Sequence, residues 1–120
     1  MKMTELQVAR LLDQARSLVE EEKSLHAIQL YARLINEEPS LITPYVELSA
    51  LYADCGRLPA VIPLLKKALA RIPGNNEIIF LLGSYHMRLE QYDVALTFFK
   101  SLEGKKLPQV HFNMGVAYFY

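Results

Sequence analysis

The side chains that could carry out chemistry are few and far apart. His26, His86 and His111 fall in three different predicted helices, and Cys55 is the only cysteine. A catalytic cysteine needs a base held beside it, and a zinc site needs several nitrogen or sulfur ligands at close spacing. The chain also lacks Gly-x-Ser-x-Gly, His-Glu-x-x-His and phosphate-binding glycine loops. We therefore expect no enzyme activity, no metal site and no cofactor.

His86 and Cys55 are interpreted as packed structural residues. A histidine with so few potential ligands nearby in the sequence is typical of a hydrogen-bonded core position. A lone cysteine usually behaves as a small apolar side chain, so we expect Cys55 to pack just before a turn at Gly56. A single cysteine excludes an internal disulfide and fits a reducing compartment, which predicts a cytoplasmic protein.

The amino-acid composition and net charge limit the classes of partner that the chain is expected to bind. The chain has 120 residues, 52% of them hydrophobic, and its 13 basic and 13 acidic residues give a formal net charge of zero. This balance argues against nucleic acid or an anionic membrane surface as the main partner. No apolar run is long enough to span a bilayer, and the N-terminal stretch MKMTELQVARLL is typical of an amphipathic helix and not of a signal peptide.

The clearest pattern in the chain is an internal repeat. The segment 48–73 matches the segment 82–107, and its second half, 61–73, matches the segment 27–39. A fixed period of this kind indicates one supersecondary unit that is repeated and stacked. The matched positions include Leu48 with Leu82, Ser49 with Gly83, Val61 with Ala27 and Ala95, Leu65 with Tyr31 and Phe99, and Pro73 with Pro39.

Apolar residues at helical spacing predict about seven helices. The first spans about 4–21 and begins with a capping box formed by Thr4 and Gln7. Ser24, Thr43 and Asn76 are predicted as N-caps of later helices. A helix at about 58–71 contains two prolines near its start, which predicts a late, tight or kinked first turn. The last helix is predicted from residue 108 onward.

The repeat resembles the tetratricopeptide repeat, whose pattern is Trp-x2-Leu-Gly-x2-Tyr, Ala-x3-Phe and Pro within each unit. The second copy reads Tyr45-x2-Leu48-Ser49-x2-Tyr52, and the third reads Ile79-x2-Leu82-Gly83-x2-His86. The resemblance implies an all-α, right-handed superhelical solenoid of antiparallel helix pairs in a single domain. We place the repeats at about 8–41, 42–75 and 76–107, with half a repeat at 108–120. Because that half ends on apolar residues, we expect a fragment of a longer array.

The repeated residues are predicted to form the core. Burial of large side chains at these positions stabilises each unit by roughly 1.5–3 kcal/mol per residue. The small residues Ser49, Gly83 and Gly115 are expected where two helices approach closely. The large core positions are Leu48, Tyr52, Leu65, Leu82 and Phe99.

The resemblance also implies where a ligand binds. In tetratricopeptide arrays the first helix of each repeat lines a concave groove that holds a peptide or a helix. We expect a non-enzymatic scaffold that binds a protein or peptide partner here, with charges such as Glu47 and Asp54 at the groove margin. The expected groove residues are Leu12, Val46, Ala50, Phe80, Ser84, Met87, Phe112 and Val116.

Several other functions were compared with peptide binding in this groove. The family's clamp for C-terminal carboxylates needs cations at the positions that here hold Leu12, Glu77 and Leu81, and asparagines where Arg16 and Glu47 stand. The frame shifted by one repeat supplies no cations either, so the clamp is rejected. Pentatricopeptide proteins bind RNA through polar base-reading residues, which these apolar positions and the zero net charge do not supply. Two alternatives stay open. The groove or the open C-terminal helix could bind another copy of the chain as a homo-oligomer, or the two groove phenylalanines could contact each other or a further helix.

Overall fold

The fold is a row of helices. A computed structural model describes residues 2–104, and within that range it contains helices and turns but no strand. The predicted seventh helix, with Gly115, lies outside the described residues. The helices are α1 (Glu5–Glu20), α2 (Ser24–Glu37), α3 (Ile42–Asp54), α4 (Leu58–Arg71), α5 (Asn76–Arg88) and α6 (Tyr92–Ser101).

Each helix packs against its neighbours in the sequence, which makes the fold a solenoid. The pairs α1–α2, α3–α4 and α5–α6 are joined in turn by the α2–α3 and α4–α5 contacts. Short connections between packed helices make neighbouring helices antiparallel. The radius of gyration is 15.2 Å, compared with about 13 Å for a compact domain of 100 residues. The predicted all-α solenoid of stacked helix pairs is therefore confirmed.

The core follows the repeat. Leu48, Leu65, Leu82 and Phe99 are all buried, as predicted. Tyr52 packs against this core but is only partly buried, so it contributes less burial than predicted. Fully buried alanines stand beside the large residues because the helices pack closely along this seam; they are Ala15, Ala27, Ala68 and Ala95.

Helices α5 and α6 approach each other closely at Gly83. A Cβ atom built on Gly83 would stand 2.6 Å from Cε1 of Phe99 and 2.9 Å from Cδ1 of the same ring. These distances are far below van der Waals contact, and Phe99 is fully buried, so the ring has little room to move. The prediction that only a very small residue fits at this position is supported, and Ser49 at the equivalent place in the second pair is also fully buried.

The same turn closes α1, α3 and α5, the odd-numbered helices of the described range. Glu22, Gly56 and Glu90 occupy equivalent places in successive repeats and have φ of 61°, 75° and 61°, in the left-handed region. At the end of α1, the N–H of Glu22 donates to the Val19 carbonyl and the N–H of Lys23 donates to the Leu18 carbonyl. Equivalent pairs of bonds follow α3 and α5. This is the Schellman motif, which satisfies the last carbonyls of a helix and reverses the chain.

The helix starts agree only partly with the sequence. The capping box is confirmed, because Thr4 Oγ1 accepts from the Gln7 N–H and the Thr4 N–H donates to Gln7 Oε1. The other predicted N-caps were each wrong by one or two residues, since the structure has Lys23, Leu41 and Asn75 at these positions. Asn75 does cap α5 by accepting from the Ile78 N–H. At Lys23 and Leu41 no side chain caps the helix.

The prolines of α4 are accommodated by its first turn. The helix begins at Leu58, so Pro59 lies where a missing N–H costs nothing, and Pro63 lies inside the helix. The Ala60 N–H donates to the Arg57 carbonyl, three residues back, whereas the equivalent bonds of α2 and α6 span four residues. The predicted tight start is therefore confirmed, but the helix does not start late.

Replacing Glu22 by glycine should stabilise the protein. A left-handed conformation strains any residue with a Cβ, so Glu22→Gly should raise the free energy of unfolding by about 1 kcal/mol, measured by urea denaturation. Glu22→Ala is the matched control, because it removes the carboxylate but keeps the Cβ. If Glu22→Ala stabilises the protein equally, charge at the helix end is responsible and not the backbone.

Replacing Gly83 by alanine should destabilise the protein. The added methyl group would meet the Phe99 ring, and overpacking of this kind costs about 1–3 kcal/mol despite the better helix propensity of alanine. Thermal melting should show a lower Tm. Combining Gly83→Ala with Phe99→Leu should cost less than the sum of the two single changes. An additive double variant would contradict the steric explanation.

Candidate functional site

The predicted groove residues on the first four helices differ in how accessible they are. Ala50 is exposed and Val46 is half-buried, both on α3. Leu12 on α1 is only 9% exposed and belongs to the core cluster. Of these three residues, α3 therefore supplies the two that offer surface to a ligand.

The predicted groove residues on α5 lie against α6. Phe80 and Met87 are half-buried and pack against the cluster of Ala95, Phe99 and Leu102. The ring centroids of Phe80 and Phe99 are 6.0 Å apart at an angle of 52°. Ser84 is half-buried, and its hydroxyl donates to the Phe80 carbonyl one turn earlier at 3.0 Å. Phe112 and Val116 lie outside the described residues, so the contact weighed between Phe80 and Phe112 stays a prediction.

A recess of about 280 Å³ opens between α1 and α3. Its lining is mainly apolar, with Ala50 and the buried Leu51 on the α3 side. The exposed carboxylates of Glu20 and Asp54 lie at the edge of this apolar surface. The complete lining is Arg16, Val19, Glu20, Tyr31, Glu47, Ala50, Leu51 and Asp54, and we call it the α1–α3 recess.

One wall of the α1–α3 recess is a hydrogen-bonded ion pair. The Nε–H of Arg16 on α1 donates to both carboxylate oxygens of Glu47 on α3, at 3.0 and 3.2 Å. The buried Tyr31 of α2 donates its hydroxyl to Glu47 Oε1 at 2.9 Å. Three helices thus meet at one carboxylate, and we call these three side chains the Arg16–Glu47–Tyr31 link.

The link changes the ionisation of its members. Burial acts to raise the pKa of Glu47, but the hydrogen bonds from Arg16 and Tyr31 and the charge of Arg16 prevail, so the pKa of Glu47 is lowered. Burial, with the neighbouring Glu47 carboxylate, raises the pKa of Tyr31. Glu47 is therefore a carboxylate and Tyr31 a neutral donor at neutral pH, which is the state that the hydrogen bonds require.

Sequence reasoning placed Glu47 at the groove margin and missed its pairing. In the repeat frame, Arg16 holds the ninth position of the first unit and Glu47 the sixth position of the second. The family's carboxylate clamp uses the same two positions, but with asparagines. The opposite charges of Arg16 and Glu47 could have indicated the pairing. The structure shows that the side chains at these two repeat positions meet across neighbouring odd-numbered helices.

The residues considered for chemistry have structural or surface positions. His86 is buried, as predicted; its Nδ1 lies 2.6 Å from Gln91 Oε1, and its ring stacks on Phe98 with centroids 5.5 Å apart. Cys55 is exposed at the end of α3, so the expectation that it packs was wrong. Within residues 2–104 no cluster of three or more histidine, cysteine or acidic side chains could hold a metal ion. The helices of that range are all too short or too polar to cross a membrane.

Comparison with known proteins identifies the fold. No protein-family model matches the chain, and no curated protein matches it by sequence. Among solved structures, MamA has a TM-score of 0.71 at 18% identity over 87% of this chain, which spans 62% of the MamA chain. The type III secretion chaperone SycD of Yersinia enterocolitica, in complex with a peptide of the translocator YopD, has a TM-score of 0.77 at 11% identity and covers 97% and 95% of the two chains.

A third structure names the repeat. YrrB, described as a TPR protein with an unusual peptide-binding site, has a TM-score of 0.69 at 20% identity and covers 89% of this chain and 56% of its own. Because the three identities are 20% or lower, the likeness concerns the fold alone. The resemblance drawn from the internal period is confirmed, and the chain has the tetratricopeptide-repeat fold.

Removing the Glu47 charge should destabilise the protein at neutral pH but much less in acid. A carboxylate whose folded pKa is lowered contributes stability above its unfolded pKa, near 4.3, and loses it as the pH falls through the folded value. Glu47→Gln should cost about 1 kcal/mol at pH 7 by urea denaturation, because the ion pair is partly exposed. This difference should shrink at about pH 3.

Glu20→Gln is the matched control for this experiment, since Glu20 is an exposed carboxylate in the same recess with no ion pair among the described residues. It should change stability by less than about 0.5 kcal/mol. A Glu47→Gln effect of the same size at both pH values would show that the pairing is not electrostatic.

Proposed function

We propose that this chain is a non-enzymatic protein-interaction scaffold that holds an apolar peptide or an amphipathic helix against its odd-numbered helices. The observation that carries the proposal is the α1–α3 recess, an apolar hollow of about 280 Å³ on a solenoid that offers no cluster for metal chemistry in its described residues. Concave surfaces with an apolar floor and a few polar groups at the edge are typical binding sites.

The geometry of the recess suits a side chain presented by a regular segment. Ala50 is small and exposed, so the backbone of a ligand could approach α3 closely at this point. Val46 lies one turn before Ala50 on the same helix and extends the apolar strip. A helix or extended peptide would cover this strip by placing its apolar side chains there.

Two of the similar structures support this kind of ligand. SycD was solved with a peptide of a translocator, and YrrB is described by its peptide-binding site. By analogy we place the ligand on the groove positions of this chain, with Phe80, Met87, Phe112 and Val116 continuing the surface beyond α3. Since Phe80 and Met87 already pack against α6, we assign the main anchor to the α3 positions.

Blocking the recess should weaken ligand binding without unfolding the protein. A peptide selected on the wild-type chain from a displayed random library should bind with a Kd of about 1 μM. In calorimetric titrations Ala50→Arg should weaken that peptide at least about tenfold, because the new side chain fills the recess. Ala70→Arg, the same change at an exposed position of α4, should leave the affinity within about twofold.

Each outcome decides between groove binding and its alternatives. Equal binding by Ala50→Arg and the wild type would move the site away from the recess and overturn the proposal. A library that yields no binder, together with concentration-dependent association in sedimentation that Ala50→Arg abolishes, would instead favour the alternative that the recess binds another copy of the chain.

A further inference from the structure

We propose that the segment held in the α1–α3 recess is basic, so that its apolar side chains cover Ala50 and a lysine or arginine reaches Glu20 and Asp54. This inference rests on the proposed function and adds the charge of the partner to it. The recess is lined by three carboxylates and one guanidinium, a net charge of −2 around a mainly apolar floor.

The charges of the recess are not equivalent. Glu47 is engaged by Arg16 and Tyr31, so its hydrogen-bonding capacity is largely used. Glu20 and Asp54 are exposed, and neither forms an ion pair with any residue of the described range. Two unpaired carboxylates therefore stand beside an apolar hollow, where a ligand cation would be partly shielded from water and salt.

The two unpaired carboxylates occupy equivalent places in neighbouring units. Glu20 and Asp54 hold the same position of the repeat, at the ends of α1 and α3, and both line the same recess. The next residue in this series is Arg88 on α5, whose guanidinium carbon lies 5.5 Å from the centroid of the Tyr85 ring. At this repeat position the first two units therefore carry a carboxylate, whereas the third carries a cation.

The Arg16–Glu47–Tyr31 link strengthens the selectivity. Among the described residues, Arg16 is the one cation that lines the recess, and its Nε and Nη2 groups donate to Glu47. An acidic segment would have to compete with Glu47 for the same guanidinium, and it would also be repelled by Glu20 and Asp54. A basic segment leaves the link intact, so the cost of binding differs between the two charge types.

The test uses two helical probe peptides that share every alanine and leucine and carry either lysine or glutamate at the remaining positions. Fluorescence anisotropy at low salt should show the lysine peptide binding the wild-type chain at least about tenfold more tightly than the glutamate peptide. The double variant Glu20→Gln/Asp54→Asn should reduce this preference to less than about threefold. The control Asp93→Asn/Glu103→Gln makes the same change in net charge in and after α6, the last described helix, and should keep the preference.

The outcomes separate this inference from the proposed function. If the wild type binds both peptides equally and Ala50→Arg weakens both, the recess binds peptides without regard to charge, and only the inference fails. If both double variants lose the preference equally, net charge alone explains it, and the assignment to Glu20 and Asp54 is overturned. If neither peptide distinguishes the wild type from Ala50→Arg, both the inference and the proposed function are contradicted.

Discussion

The architecture depends on one backbone reversal that recurs at the ends of α1, α3 and α5. A left-handed residue, Glu22, Gly56 or Glu90, lets two N–H groups satisfy the last carbonyls of the helix, and the next helix begins within a few residues. Because the connection is short, the following helix packs antiparallel against the previous one. Once the pairs form, each exposes an apolar side that only the next pair can cover, which produces the stack.

The fold could be predicted from the sequence because large apolar residues recur at equivalent positions of the repeat. Leu48, Leu65, Leu82 and Phe99 mark buried positions at a constant period, and burial of such side chains is the dominant stabilising effect in folding. Helix boundaries were less predictable. Thr43 looked like an N-cap, but α3 begins at Ile42, since tertiary packing outweighs the preference of a single capping residue. The left-handed Glu22 and Glu90 gave no local signal, because glutamate rarely adopts that conformation.

The candidate site was predicted less completely than the fold. The repeat frame indicates which positions follow the odd-numbered helices, but it does not say which of them remain accessible after neighbouring helices pack. Leu12 enters the core and Phe80 packs against Phe99, whereas Ala50 stays exposed. The partnership of Arg16 with Glu47 depends on the distance between two helices, and this distance is a property of the stack and not of either segment.

The close contact of Gly83 with the Phe99 ring has a consequence for how such a chain can diverge. The same two places hold Ala15 with Tyr31 in the first pair and Ser49 with Leu65 in the second, so each unit combines one small and one large residue in its own way. The units therefore share one backbone fold, but their helices cannot be exchanged singly. A segment copied from the second unit into α5 would bring a serine against an aromatic ring unless the facing segment of α6 were copied with it. A larger residue at one of these positions therefore requires a smaller one at the other, and both positions lie within one helix pair.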